Sequence, residues 1–241
     1  MHVFPAWYSN RTSEYAKLRQ LPCDAIFGKE EPAEERPTSA TKVTRRFLDA
    51  RCWIDEGRLP ERLLAALDFD SLWNLHPEAL GRIVMFGKEI DTPRYQMSYE
   101  RNYRFSGSDH EAKPLPAELE PLRRWANSSP YALEHAFDQI FVNWYQDGRH
   151  YIGPHSDDET QIVPSSPIAS ISLGATRTFR IREKKTKRIA ADIAVDHGSF
   201  CVMGGEMQRR YTHEIVKLTD KRAKLVGKRI NITFRQFRTD P

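Results

Sequence analysis

The chain has 241 residues, 39% of them hydrophobic and 29% charged, with a formal net charge of +4. Those figures suit one sizeable globular domain and leave little room for a second. They exclude a bilayer-spanning helix, since no run approaches the roughly 20 apolar residues that a membrane core requires. Three cysteines, Cys23, Cys52 and Cys201, odd in number and without CxxC spacing, exclude both a disulfide framework and a cysteine zinc site.

The first 20 residues, MHVFPAWYSNRTSEYAKLRQ, carry no apolar signal region, so an intracellular protein with no membrane partner is expected. Residues 28–42, GKEEPAEERPTSATK, hold almost nothing apolar and cannot bury enough surface to offset the entropy of ordering. A largely disordered extension over 1–43 is therefore expected, ahead of a folded domain over 44–241. In LPERLLAALDF (59–69) the positions of Leu63, Leu64 and Leu67, with Pro60 at the start, predict one amphipathic helix. A second is predicted over about 116–127, where Leu119, Leu122 and Trp125 recur. From Ala136 onward the pattern changes to short strands broken by Gly, Pro and Asp: AFDQIFVNWY, SPIASISLGA, RTFRIR, GSFCVMGG and RINITFRQF. Helices followed by many short strands point to an α+β domain whose body is an antiparallel double sheet.

Two stretches carry candidate chemistry. In GPHSDDE (153–159), an extended backbone would send His155 and Asp157 out of the same face, because strand side chains alternate with period two. Taken alone, HxD is common and reads more safely as a polar turn. His213, in QRRYTHEI, is the best placed third ligand, although a single histidine is more often a structural one. Two histidines and a carboxylate would form a facial triad that leaves coordination positions open on Fe(II). The second stretch, RINITFR (229–235), places Arg229, Asn231, Thr233 and Arg235 on one strand face and Ile230, Ile232 and Phe234 on the other. At about 3.3 Å per residue the two arginines stand roughly 20 Å apart along the strand, with room between their inward-reaching side chains for a small dianion. Guanidinium groups match carboxylates in bidentate fashion. The basic run RIREKKTKR (180–188) reads either as a solvated hairpin tip or as a phosphate contact.

Taken in order, His155-x-Asp157, His213 and Arg229-x-Asn231-x-Thr233-x-Arg235 resemble the AlkB-type Fe(II)/2-oxoglutarate dioxygenases, and Asn143-Trp144-Tyr145 resembles that family's Asn-x-Tyr pair. The resemblance runs from about residue 80 to the C-terminus and leans toward the DNA-repair branch. It implies a double-stranded β-helix (jelly roll) with flanking N-terminal helices and a nucleotide-recognition lid over 80–110. It also implies Fe(II) on His155, Asp157 and His213, with O2 as oxidant and 2-oxoglutarate held by Asn143, Tyr145, Arg229, Asn231 and Arg235. Arg235 would in addition orient Asp157.

MFGKEIDTPR (85–94) is similar to the family's finger loop, with Phe86 as the apolar wedge that fills the place of a flipped base and Lys88 and Arg94 on phosphates. YRFSG (103–107) is similar to its base-binding stretch, so Tyr103 and Phe105 would meet the base, while Asp158 and Glu159 would suit its positive charge. The segment SYERN (98–102) departs from the family pattern and leaves the lid geometry open. The implied activity is oxidative demethylation of N1-methyladenine and N3-methylcytosine in duplex DNA by a nuclear monomer, or a cytoplasmic one where no nucleus exists. Formaldehyde, succinate and CO2 would be released. RNA or single-stranded nucleic acid is the alternative substrate within the same family.

Overall fold

A computed structural model describes residues 42–85, 87–219 and 221–239. The hairpin β1 (Thr44–Asp49) and β2 (Cys52–Arg58) comes first, followed by two short helices, α1 (Glu61–Ala65) and α2 (Phe69–Asn74). Next come β3 (Arg82–Met85), β4 (Lys88–Asp91), β5 (Tyr95–Tyr99), β6 (Tyr103–Phe105), β7 (Ser108–His110), β8 (Ala112–Lys113) and helix α3 (Glu120–Asn127). The second half is almost all strand: β9 (Gln139–Tyr145), β10 (Ile152–His155), β11 (Ile168–Gly174), β12 (Arg177–Glu183), β13 (Ile189–Val195) and β14 (Ser199–Gly205). The one-turn helix α4 (Met207–Arg210), β15 (Tyr211–Ile215) and β16 (Arg229–Arg235) complete it.

The strands form an eight-stranded sheet in the order β1-β2-β14-β11-β16-β9-β5-β8 and a four-stranded sheet in the order β10-β15-β12-β13. Between them lies a core that includes Ile54, Ile168, Phe179, Ile181 and Met203. The outer face of the large sheet packs under α2 and α3, where Leu72, Trp73, Leu122 and Ala126 meet Trp144, Ile230, Ile232 and Phe234. Two antiparallel sheets packed face to face give the jelly-roll arrangement.

Strand β16 shows how the sequence builds this. Its alternation directs Ile230, Ile232 and Phe234 to the helices and leaves Arg229, Asn231, Thr233 and Arg235 for the opposite, inter-sheet side. Every residue of the strand is buried, so four polar side chains are placed in the interior. The turn into β12 needs Gly174, whose φ is +87°. A Cβ there would also sit 2.3 Å from the Lys228 carbonyl oxygen.

The helix predicted over 59–69 divides in two. Asp68 accepts from the backbone N–H of Asp70 and Ser71 and so caps a new helix in the middle of the stretch. The second predicted helix spans Glu120–Asn127 after a 3-10 turn at Ala117–Leu119 and buries Leu119 and Leu122. Strands β1 to β8, ahead of residue 136, were not anticipated. In β2 the reason is visible: its inward polar residue, Asp55, is buried because Arg45 answers it through two hydrogen bonds of 2.6 Å and the Tyr131 hydroxyl donates a third. Of the expected 1–43 extension, residues 1–41 lie outside the described residues, and β1 begins at Thr44. Among the described residues no helix is long and apolar enough to cross a membrane.

Candidate metal and co-substrate centre

The irregular edge strand β10 carries His155, the loop after it carries Asp157, and β15 carries His213 directly opposite His155 in the register. One ligand atom from each lies within 4.8 Å of the others. His155 Nδ1 is 2.9 Å from the Gly153 carbonyl oxygen, which makes that nitrogen the donor and leaves Nε2, 3.9 Å from Asp157 Oδ1, with its lone pair toward the cluster. His213 Nδ1 is buried and has no hydrogen-bond partner. The Asp157 backbone N–H donates to Gln208 Oε1 at 3.0 Å, and its Oδ2 meets Arg235 Nη2 at 3.1 Å.

Burial works to raise the Asp157 pKa, but Arg235, then His213 and His155, hold it down at about 2. Burial pushes His213 down to about 3, with His155 adding to the effect. At neutral pH the site therefore offers one carboxylate and two neutral imidazoles, the protonation states that metal ligation demands. A 2-His-1-carboxylate donor set with an orphaned ring nitrogen fits a divalent transition metal that keeps open positions, as in non-haem Fe(II) sites.

Beside the triad the interior holds guanidinium groups of unequal status. Arg235 is tied to Asp157. Arg229, 1% exposed, donates from Nη2 to Ser172 Oγ at 2.8 Å, while its Nε and Nη1 and the neighbouring Tyr145 hydroxyl have no partner. Its charge centre lies 4.9 Å from the Tyr145 ring. Among the described residues no carboxylate pairs with Arg229, and burial pushes its pKa below the usual value. A buried cation with free donors is a receptor for an anion. Asn231 is committed in part: its Nδ2 donates to Ser170 Oγ and to the Ile171 carbonyl, which fastens β16 to β11. Asn143 accepts from Arg94 Nε at 2.8 Å through Oδ1, which leaves its amide N–H groups for the cavity.

Arg94 is thereby corrected. A phosphate contact was expected, but the residue is 5% exposed and its Nε donates inward to Asn143. Lys184 is corrected too, since its Nζ donates to Asp158 at 2.9 Å and to the Gln208 carbonyl at 2.8 Å. Arg180 pairs with Asp192 and Arg182 with Glu214, so the basic run leaves only Lys185, Lys187 and Arg188 exposed at its turn. Asp158, expected beside the base, is the exposed partner of Lys184. Glu159 accepts from the Tyr103 hydroxyl at 2.8 Å, and burial, with Asp157 next to it, raises its pKa. Tyr103 is buried against Phe105, Phe141 and Phe237. Phe105 stacks on His110 at 4.3 Å. Lys88 is exposed on β4, and Phe86 lies outside the described residues.

Sequence reasoning missed Gln208, which holds the Asp157 backbone, as well as the inward role of Arg94 and the position of His110. None of the three stands at a spacing that marks it. They reach the site only through the packing of α4, β5 and the β6–β7 hairpin.

A double sheet with a 2-His-1-carboxylate cluster at one edge defines an oxygenase of the 2-oxoglutarate type. Accordingly, residues 62–235 match the 2OG-Fe(II) oxygenase superfamily, and the chain belongs to it. Within it the chain belongs to the AlkB type. It is 34% identical over 169 residues to human DNA oxidative demethylase ALKBH2, covering 66% of this chain and 62% of that protein. The mouse ALKBH2 is 33% identical over 169 residues, covering 66% of this chain and 68% of that protein. Rat alpha-ketoglutarate-dependent dioxygenase alkB homolog 3 is 35% identical over 115 residues, covering 44% of this chain and 38% of that protein. The chain thus spans a little under two thirds of the human relative's length. The solved structure of OsALKBH1 shares the fold, with a TM-score of 0.53 at 18% identity, over 80% of this chain and all of that one.

Proposed function

We propose that the domain over 44–241 oxidatively demethylates N1-methyladenine and N3-methylcytosine in DNA, using Fe(II), 2-oxoglutarate and O2, and that it acts as a monomer in the nucleus. The observation that carries this reading is the pairing of the His155–Asp157–His213 cluster with Arg229, a buried cation whose free nitrogens await an anion. Likeness to the ALKBH2 proteins, named DNA oxidative demethylases, supports the choice of DNA.

Each residue has a physical task. His155, Asp157 and His213 would hold the metal, which supplies oxidising power at the methyl carbon when bound with co-substrate and O2. Arg229 would clamp the distal carboxylate of 2-oxoglutarate, with the Tyr145 hydroxyl as a second donor, and Asn143 would turn its amide N–H toward the near end. Arg235 keeps Asp157 ionised and aimed. Residues 80–110 would serve as the lid: Phe105 supplies a ring for the flipped base, and Tyr103, locked to Glu159, closes the floor against water. Glu159, beside Tyr103 and Asp157, would favour a cationic base, and Lys185, Lys187 and Arg188 are free to meet phosphates.

The test is mass spectrometry of an oligonucleotide carrying N1-methyladenine, as duplex and as single strand, incubated with protein, Fe(II), ascorbate and 2-oxoglutarate. Conversion of the methylated to the unmethylated oligonucleotide should be iron-dependent and absent in Asp157→Ala, which we expect to fold yet show no turnover. An Asp157→Ala protein as active as the parent would refute the metal assignment, and activity confined to RNA or single strands would reassign the substrate.

A further inference from the structure

We propose that His110 is a specificity-determining residue of the base pocket, presenting an unanswered ring nitrogen to the exocyclic amino group of a cationic methylated base. The inference rests on the base-pocket reading above and adds a residue that neither motif nor spacing marks.

His110 ends β7 and pairs with Tyr103 across the hairpin. Its ring lies flat on Phe105, 4.3 Å between centroids and 11° between planes, and meets Phe141 edge-on at 5.7 Å. Tyr103, Phe105, His110 and Phe141 therefore form one aromatic wall. That wall adjoins the metal cluster, because the guanidinium of Arg235, which holds Asp157, lies 4.7 Å from the Tyr103 ring and 5.8 Å from Phe141. The Tyr103 hydroxyl is used by Glu159, whereas His110 Nε2 is buried with no partner. A buried ring nitrogen left unanswered costs stability unless a ligand or water meets it.

Burial, and then the charge of Arg94, push the His110 pKa down to about 4, so at neutral pH the ring is uncharged. An uncharged imidazole has one acceptor nitrogen and does not repel a cation stacked nearby. N1-methyladenine and N3-methylcytosine both carry an amino group beside the methylated nitrogen, and their positive charge makes it a stronger donor. N1-methylguanine and N3-methylthymine are neutral and carry a carbonyl oxygen where adenine and cytosine have that amino group; guanine's own amino group lies on the other side of the methylated nitrogen and is uncharged. With Nε2 as acceptor, His110 favours the first pair and faces lone pair to lone pair with the second.

The experiment measures dissociation constants without oxygen, so that nothing turns over. The parent, His110→Phe and His110→Gln proteins, each loaded with Fe(II) and 2-oxoglutarate, are titrated with oligonucleotides carrying N1-methyladenine, N1-methylguanine or no lesion. The parent should bind N1-methyladenine more tightly than N1-methylguanine. His110→Phe keeps a ring but no nitrogen and should lose about tenfold on N1-methyladenine alone. His110→Gln keeps an acceptor and should recover part of that preference. A ratio within one protein is insensitive to the folded fraction, so partial misfolding of either variant leaves the comparison intact. Absence of lesion preference in the parent overturns the proposal, as does an unchanged ratio in His110→Phe. Tighter lesion binding by His110→Phe would also overturn it, because the imidazole would then occupy the place of the base. A parent that binds the lesion selectively yet releases no methyl would sink the demethylation reading and leave this one standing.

Discussion

Two arginines on neighbouring parts of the interior make opposite use of burial. Arg177, 3% exposed, donates to four backbone carbonyls, those of Asp147, Gly148, His150 and Val216, and so locks together the 147–150 turn and the chain after β15. Arg229 is equally buried but donates only to Ser172 and keeps two nitrogens unused. A saturated guanidinium has nothing left for a ligand, whereas an unsaturated one lowers stability until an anion arrives. Burial of a charge therefore does not mark a site by itself; the count of answered donors does.

The strongest test of this contrast is Arg177→Met. Up to four carbonyls would lose their donor, at about 1–3 kcal/mol for each that water fails to reach, and we expect a loss of about 4 kcal/mol in urea denaturation. A loss below about 1 kcal/mol would erase the distinction between the two arginines.

A smaller effect is expected from acid on the metal-free protein. His213 and His110 have folded-state pKa values of about 3 and about 4, below the ordinary 6.5. Each stays neutral when folded and takes a proton when unfolded, so stability falls as the pH drops from about 6.5 toward 4. Asp157 is held at about 2 from a usual 3.8, so its contribution is present above 3.8 and is lost only below that range. Between pH 7 and pH 5 the unfolding free energy should fall by up to about 2 kcal/mol for either ring, since both folded-state values lie below that window. A flat profile would mean that one or both rings are charged in the fold.

The smallest effect is expected for Arg229→Lys. Loss of the bidentate clamp should weaken 2-oxoglutarate about tenfold, read by ligand-induced thermal shift, while the ligand-free protein melts almost where the parent does. A large loss of ligand-free stability would class Arg229 with Arg177.

Much of this was legible in the chain because period-two alternation is a strong signal. RINITFR shows in its letters which residues face the helices and which face the opposite side, whereas HxD and a distant histidine became a donor set only through the family resemblance. The early strands were hidden for a different reason. A buried Asp55 contradicts the hydrophobic pattern until Arg45 and Tyr131, 10 and 76 residues away, are seen to answer it. The helix over 59–69 failed on a single cap at Asp68. Arg94 and Lys184 looked like surface cations, since the sequence gives charge but not direction, and their partners Asn143 and Asp158 lie on other elements.

The edge strand β10 is held to β15 by an irregular register, with Ile152 opposite Ile215 and His155 opposite His213. A ligated ion would act there as a clasp, joining the rim of the small sheet to its neighbour through side chains where the ladder is thin. Sliding β15 by one residue would aim Thr212 or Glu214 inward in place of His213. Loading the ion thus proofreads the alignment of the two strands, and its removal should loosen that rim before the rest of the barrel.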